Sequence, residues 1–441
     1  MPTTRRQFIK RSAGAVSVSL LMPKLWMRDA LAQTVAPQAD RRIFVVIQLA
    51  GGNDGLNTVI PFTNSRYQSL RPTLGFKDTE LKDAQGNSTI ISNDLGLHPS
   101  LAELKTLYDA GRVAIVQGVG YPNPNLSHFL SMDIWHTANT NGGVGDGWLG
   151  KYADQKLLGQ SGLTAVSVGG SLPKSFFAEK VVIPNITPGG GTDRFAAYNF
   201  LTDGRYTGDR NNQLNTFHAT NARAFDVGTF IDSIADTGMD AVDGAQQVQT
   251  AVKQYTSPVT YPIGAGQNTN NLAIALQMVA QLAVTLPTAN LFYVQLGGFD
   301  HHSQEIGSNA DPNNKLIGQH STLLRFFSQA VKAFYDDMEA HGLADNVVMM
   351  QWTEFGRRPN ENNSKGTDHG TAYPEFIIGK PVRGGLYGVY PSLEATQLDS
   401  AGNLKFTVDF RSVYATILDK WLGADSQTIL GARYEDIGFL G

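Results

Sequence analysis

Four short, almost wholly apolar runs constrain this chain more than anything else in it. They are Arg42 to Ala50 (RIFVVIQLA), Val113 to Gln117, Leu291 to Leu296 (LFYVQL) and Asn346 to Trp352 (NVVMMQW). A strand with one face in water alternates apolar and polar residues, and these runs do not. Each is therefore expected to be buried on both faces, as strands of a parallel sheet are. Helical stretches stand between them. Pro99 to Ala110 carries Leu101, Leu104 and Leu107 on one face and is closed by Gly111. Leu272 to Leu286 reads as a core-facing helix, and a long amphipathic helix spaces Leu323, Phe327, Ala330, Val331, Phe334 and Met338 at helical intervals. Ser127 opens another helix through Phe129, Met132, Ile134 and Trp135, and Leu163 to Val168 reads as a further strand. The alternation predicts an α/β fold with a mostly parallel sheet covered by helices on both faces. From 192 to 262 the chain turns polar and Asn-rich, which predicts a helical insertion or cap.

The first residues predict export. Arg5-Arg6 stand before Gln7-Phe8-Ile9-Lys10, a short apolar stretch runs from Ala13 to Met22, and Ala30-Leu31-Ala32 forms a small-x-small cleavage site. That pattern is a signal peptide of the twin-arginine type over residues 1–32, with residues 33–441 as the α/β domain. The translocase of that route is then an expected partner, and the destination is periplasmic or extracellular. The apolar stretch is too short to span a bilayer, and no later segment of the sequence is apolar enough to do so. The net charge of −4 offers no basic footprint for nucleic acid. The chain has no cysteine, which excludes disulfides, iron–sulfur clusters and thiolate zinc sites. No G-x-G-x-x-G fingerprint points to a dinucleotide. Any metal has to be held by His, Asp and Glu.

In a parallel sheet, ligands bind outside the carboxyl ends of the strands. Polar clusters follow each predicted strand: Gly51-Gly52-Asn53-Asp54-Gly55, then Asn125-Leu126-Ser127-His128, then Phe299-Asp300-His301-His302, then Glu354-Phe355-Gly356-Arg357-Arg358, and later Thr367-Asp368-His369-Gly370. Carboxylates and imidazoles from separate loops suit Zn²⁺, Mn²⁺, Ca²⁺ or Mg²⁺. Asp300 and His302 share a side if their loop is extended, with His301 pointing elsewhere. Taken alone, Asp54 reads as an Asx turn and Asp368-His369 as a surface turn. Ser127 is either a helix N-cap or a nucleophile at a helix start that favours an oxyanion. Arg357 and Arg358 either fork a phosphate or sulfate oxygen or form a solvated rim. His98 is expected to cap or pack at a helix start, and His136, His218, His320 and His341 receive no role.

These segments resemble the family catalogued as domain of unknown function 1501, within the alkaline phosphatase and sulfatase superfamily. The resemblance rests on Gly51 to Asn57, Ser127-His128-Phe129, Gly298 to His302, Glu354 to Arg357 and Asp368-His369-Gly370. It implies Asp300, His302 and His369 around one divalent ion and Asp54 with Glu354 around a second. It also implies Ser127 as nucleophile, with His128 and Arg357 beside it in the catalytic set. Phe355 stands where the superfamily usually has another ligand, which leaves the second ion in question. Ser127 lacks the Pro/Ala-Arg context of an ordinary sulfatase. The expectation is an exported metal-dependent hydrolase of small anionic phosphate or sulfate esters, acting through Ser127 or a metal-bound water. The alternative is a degenerate relative that serves as an envelope binding or assembly protein.

Overall fold

The computed structural model describes residues 41–160, 163–188, 247–248, 251, 253–307 and 314–441. The expected export segment 1–32 lies outside the described residues, as does most of the expected insertion 192–262.

The first apolar run forms strand β1, Ile43–Ala50, buried as far as Leu49. Its side chains alternate between two separate cores. Ile43, Val45, Ile47 and Leu49 enter one, and Phe44 and Val46 enter the other. Both faces are covered, so apolar residues at every position are what the strand needs. The other strands of the sheet are β2 (Val113–Gly120), β3 (Ala165–Val168), β4 (Asn185–Ile186), β5 (Leu291–Gly297) and β6 (Val347–Trp352). A two-stranded hairpin, β7 (Arg357–Glu361) and β8 (Thr367–His369), lies outside it. The chain then returns to the sheet as β9 (Tyr373–Ile378), β10 (Gly385–Tyr387) and β11 (Val408–Asp409).

The sheet runs in the order β10, β2, β9, β6, β1, β5, β3, β4, with β11 beside β2. Its pairs are parallel except those of β9, which is antiparallel to β2 and β6. The expected mostly parallel sheet with helices on both faces is what the chain forms. On the first face lie α1 (Ala102–Asp109), α4 (Asn271–Thr285) and α5 (Gln319–Ala340). On the second lie α2 (His128–Thr137), α3 (Trp148–Lys156) and α6 (Phe410–Thr416). All six residues read as the buried stripe of α5 are buried. Among the described residues no helix is long and apolar enough to cross a membrane.

The second strand runs three residues beyond Gln117, and β9 to β11 went unread in the sequence. The reversed strand has a plain physical reason. Between the end of β6 and the start of β9 stand only twenty residues, Thr353 to Ala372, and the hairpin uses part of them. A parallel return needs a crossover to the opposite end of the sheet, whereas this link stays on one rim. The hairpin is thereby held over the carboxyl ends of β1, β5 and β6.

Candidate metal centre

Asp300 sits at the middle of the rim. It follows β5, and its backbone lies hard against the turn after β1. A Cβ on Gly51 would fall 2.6 Å from the Asp300 nitrogen, and Gly51 has φ +122°. Only glycine meets both demands there.

Three imidazoles converge on the Asp300 carboxylate. The Nε2 of His302 is 3.1 Å from Oδ1, that of His369 is 3.3 Å from Oδ1, and that of His128 is 3.4 Å from Oδ2. The two Nε2 atoms of His302 and His369 are 2.9 Å apart. The ligand atoms of His128, Asp300 and His369 all lie within 4.8 Å of one another.

The opposite ring nitrogen of each histidine is held by an oxygen. His128 Nδ1 is 2.8 Å from Glu354 Oε1, His369 Nδ1 is 2.8 Å from the Leu126 carbonyl, and His302 Nδ1 is 3.2 Å from Asp368 Oδ1. Carbonyls and ionised carboxylates only accept, so each Nδ1 carries the proton and donates it. In the neutral rings each Nε2 is left with a lone pair, those of His128 and His369 lying with an Asp300 oxygen in one mutually close group and that of His302 beside His369 and Asp300. Three lone pairs and a carboxylate facing one another repel unless a cation or a proton lies among them. Pinning of the distal nitrogen is the usual support of a metal-bound histidine. The residues therefore fit a divalent ion. The side chains are 20–47% exposed, so the cluster is open to solvent.

Packing fixes these rings. Phe355 is buried, with its ring 4.9 Å from that of His128 and 4.5 Å from that of His369. It lacks ligand atoms, but it forms the wall against which two imidazoles stand. Helix α2, which carries His128 in its first turn, is tied to the end of β6. Trp135 stacks on Trp352 at 5.5 Å, and the Ser131 hydroxyl donates to the Glu354 carbonyl at 2.6 Å.

The charges follow from these contacts. Burial raises the Asp300 carboxyl, but the hydrogen bond and charge of Arg357 outweigh it and bring the group down to about 2. The bond to Glu354 raises His128, and burial lowers His369.

Four of the residues singled out in the sequence stand differently from expectation. Glu354 is buried and accepts from His128 and from the Gly51 amide at 2.8 Å, so it orients a ligand candidate and does not itself face the cluster. Asp54 is buried elsewhere, its two oxygens taken by the guanidinium of Arg71. The pair implied for a second ion, Asp54 with Glu354, is thus not assembled. Arg357 does not form a substrate fork. It is buried and gives its hydrogens to the carbonyls of Gly51, Gly52, Phe299 and Thr367 and to Asp300 Oδ1, the last at 2.7 Å. Finally, His128 faces Asp300 as a ligand candidate.

Ser127 occupies the N-cap position of α2, but its side chain makes no capping bond. It is exposed and stands between two site contacts in the chain, the Leu126 carbonyl and His128. His98 does cap its helical turn, accepting from the Ser100 amide at 3.1 Å.

Behind this cluster lies a second, buried one that sequence reasoning missed. Arg71 bonds the carbonyls of Arg358 and Pro359, each at 2.9 Å, as well as Asp54. Glu305 accepts from Thr367 Oγ1 at 3.0 Å and shares a hydrogen bond with Asp54. Burial, then the nearby charge of Asp54, pushes Glu305 well above its usual range, so it holds the proton. Burial raises Asp54 too, but Arg71 overrides that and leaves it at about 2. No sequence signal announces Arg71, which ends an ordinary short helix.

A family model described as "Protein of unknown function (DUF1501)" matches residues 41–432. No curated protein matches the chain. Solved structures with a similar course include a protein in the alkaline phosphatase superfamily from Vibrio parahaemolyticus, 10% identical. The match covers 78% of this chain and 62% of that one, at a TM-score of 0.33. The phosphonate monoester hydrolase SpPMH from Silicibacter pomeroyi is 9% identical over 90% of this chain and 78% of that one, at 0.33. The C-terminal periplasmic domain of EcEptC from Escherichia coli, in complex with Zn, is 9% identical over 77% and 74%, also at 0.33. Likeness of this degree carries no chemistry, which has to come from the cluster itself.

Proposed function

The chain belongs to the DUF1501 family, and from its own rim cluster we propose that it is an exported, metal-dependent hydrolase of phosphate or sulfate esters. One observation carries the reading: three histidines, each with Nδ1 pinned by an oxygen, aim Nε2 at the Asp300 carboxylate in a solvent-open cluster. His128, Asp300, His302 and His369 would hold the ion. A site rich in imidazole suits zinc or manganese better than calcium or magnesium, which favour oxygen ligands. With Asp54 neutralised by Arg71, a single ion is expected. When bound, such an ion polarises an ester oxygen and favours ionisation of an attacking hydroxyl.

The chain's own residues do the rest. Ser127 presents a hydroxyl that no cap engages, at a helix start whose free N–H groups favour developing negative charge. Arg357 keeps Asp300 ionised and in place. Phe355 and the three oxygen acceptors stop the imidazoles from turning. The leader at residues 1–32 would send the folded, loaded protein through the twin-arginine translocase.

Purified protein, supplied with zinc or manganese, is to be assayed on a panel of phosphate and sulfate esters. Turnover that needs the ion and is lost in a folded Ser127→Ala variant is the expected result. Metal-loaded protein inert to the whole panel would overturn the assignment. A binding-only role is favoured by one feature, the sequestered Asp54, and that same inert outcome is what it predicts.

A further inference from the structure

The segment from Pro122 to Leu126 carries Ser127 up to the rim, and its own main chain does little to hold it there. Among the described residues no backbone–backbone hydrogen bond involves it. Two of its five residues, Pro122 and Pro124, have no N–H to give. Side chains hold it instead. The Leu126 carbonyl accepts from His369 Nδ1 at 2.8 Å, and the Asn125 amide donates to the Tyr121 hydroxyl at 3.0 Å. Asn125 passes the restraint on, since its Oδ1 accepts from the Ser127 amide at 2.8 Å.

Tyr121 is the fixed end of this tether. Its ring is buried in the second core, edge-on to Trp135 and Phe410 with centroids 6.5 and 5.9 Å away. Its hydroxyl is 3.0 Å from Ser131 Oγ. A hydroxyl has one proton, and that fixes the direction of each bond. Ser131 gives its proton to the Glu354 carbonyl at 2.6 Å, so Tyr121 donates to Ser131 and accepts from Asn125. The Asn125 carbonyl, 3.5 Å away, competes poorly for the tyrosine proton. The carboxylate of the same Glu354 accepts from His128 Nδ1 at 2.8 Å. One line of hydrogen bonds therefore runs from the Ser127 amide through Asn125, Tyr121 and Ser131 to the residue that orients His128.

We propose that Tyr121 is a positioning residue, which places Ser127 beside the histidines by holding the segment that carries it. The inference rests on the hydrolase reading, in which the Ser127 hydroxyl attacks the ester. Tyr121 is buried and does not itself meet the ester.

The test is Tyr121→Phe in full-length, zinc-loaded protein, assayed on the ester panel, p-nitrophenyl phosphate and p-nitrophenyl sulfate among it. The change removes the hydroxyl and leaves the ring packing in place, and the freed amide of half-buried Asn125 can turn to water. A fall in kcat of roughly 10–100-fold at unchanged KM is expected, as for a nucleophile displaced by about an ångström. Zinc content stays at the wild-type level, and hydrogen exchange quickens at the amides of Asn125 and Ser127. Asn125→Ala should repeat the loss of rate, and Asn125→Asp, which keeps an oxygen for the Ser127 amide, should lose less. That pair decides the matter if Tyr121→Phe does not fold, and equal losses in the two overturn the proposal. Unchanged kcat or unchanged exchange in folded Tyr121→Phe overturns it as well. So does loss of zinc, or a KM that rises as kcat falls, since Tyr121 would then only hold the rim together. Wild-type protein that takes zinc and turns over no ester rejects the hydrolase reading, and this inference with it.

Discussion

The rim cluster and the buried cluster behind it are made of the same residue types and do opposite things with them. At the rim, Asp300 and three histidines face each other in the open, each imidazole pinned on its far side. Behind it, Asp54, Glu305, His98, His301 and His320 lie buried around Arg71. There the carboxylates are settled internally, one by a guanidinium and one by a proton. Burial lowers His98 to about 3, His301 to about 4 and His320 well below its ordinary value. Composition does not separate a site from a strut. What separates them is whether the lone pairs still lack a cation once every internal partner has been counted.

The largest effect that would break this contrast is on metal content. Asp300→Ala or His369→Ala is expected to abolish binding of a divalent ion, read by elemental analysis after desalting. Retention of a full equivalent in either variant sinks the rim assignment. Next comes stability. Arg71→Ala leaves Asp54 charged and unpaired, which costs about 3–5 kcal/mol in a buried ion pair. The urea midpoint should fall accordingly while zinc content per folded molecule stays the same. A variant that loses zinc without losing stability would merge the two regions.

A smaller change sharpens the contrast from the rim side. Glu354→Ala should weaken zinc binding roughly 10–100-fold by releasing His128 Nδ1, whereas Glu354→Gln, which still offers an oxygen, should lose less. Equal losses in the two would argue that Glu354 acts by its charge alone.

How much of this was legible in the sequence depended on distance along the chain. The apolar runs and the stripe on α5 read correctly because their signal is local, set by which neighbours are apolar. The loops after the strands read correctly as rim residues, since a parallel sheet puts all such ends together. Asp300, His302 and His369 were named as one ligand group, and the structure brings them together. Glu354 and Arg357 were placed on the right rim but pointed the wrong way, because pointing is decided by partners hundreds of positions off, Gly51 and Gly52 among them. Arg71 and β9 were missed for the same reason. A lone arginine after a short helix has no pattern, and a reversed strand looks like any other apolar run.

The smallest prediction concerns pH. His98 has a folded value, about 3, below the ordinary 6.5, so the unfolded chain binds its proton first. Its contribution is intact above pH 6.5 and is lost as the pH falls from there towards 3. Between pH 6.5 and 5 the loss is roughly 2 kcal/mol for one such buried histidine. Urea midpoints at pH 7.5 and 5 should show it, and His98→Gln should flatten the slope by that amount. An unchanged slope would mean that His98 is not kept neutral by its surroundings.

The donors at the rim reach it from the start of α2, from the loop after β5 and from the far strand of the hairpin. No short peptide cut from the chain holds the whole set, and no half-made sheet does either. Uptake of an ion by the proposed site would therefore wait for tertiary assembly. Whichever cellular compartment hosts that last step would then select the element by what it has in stock.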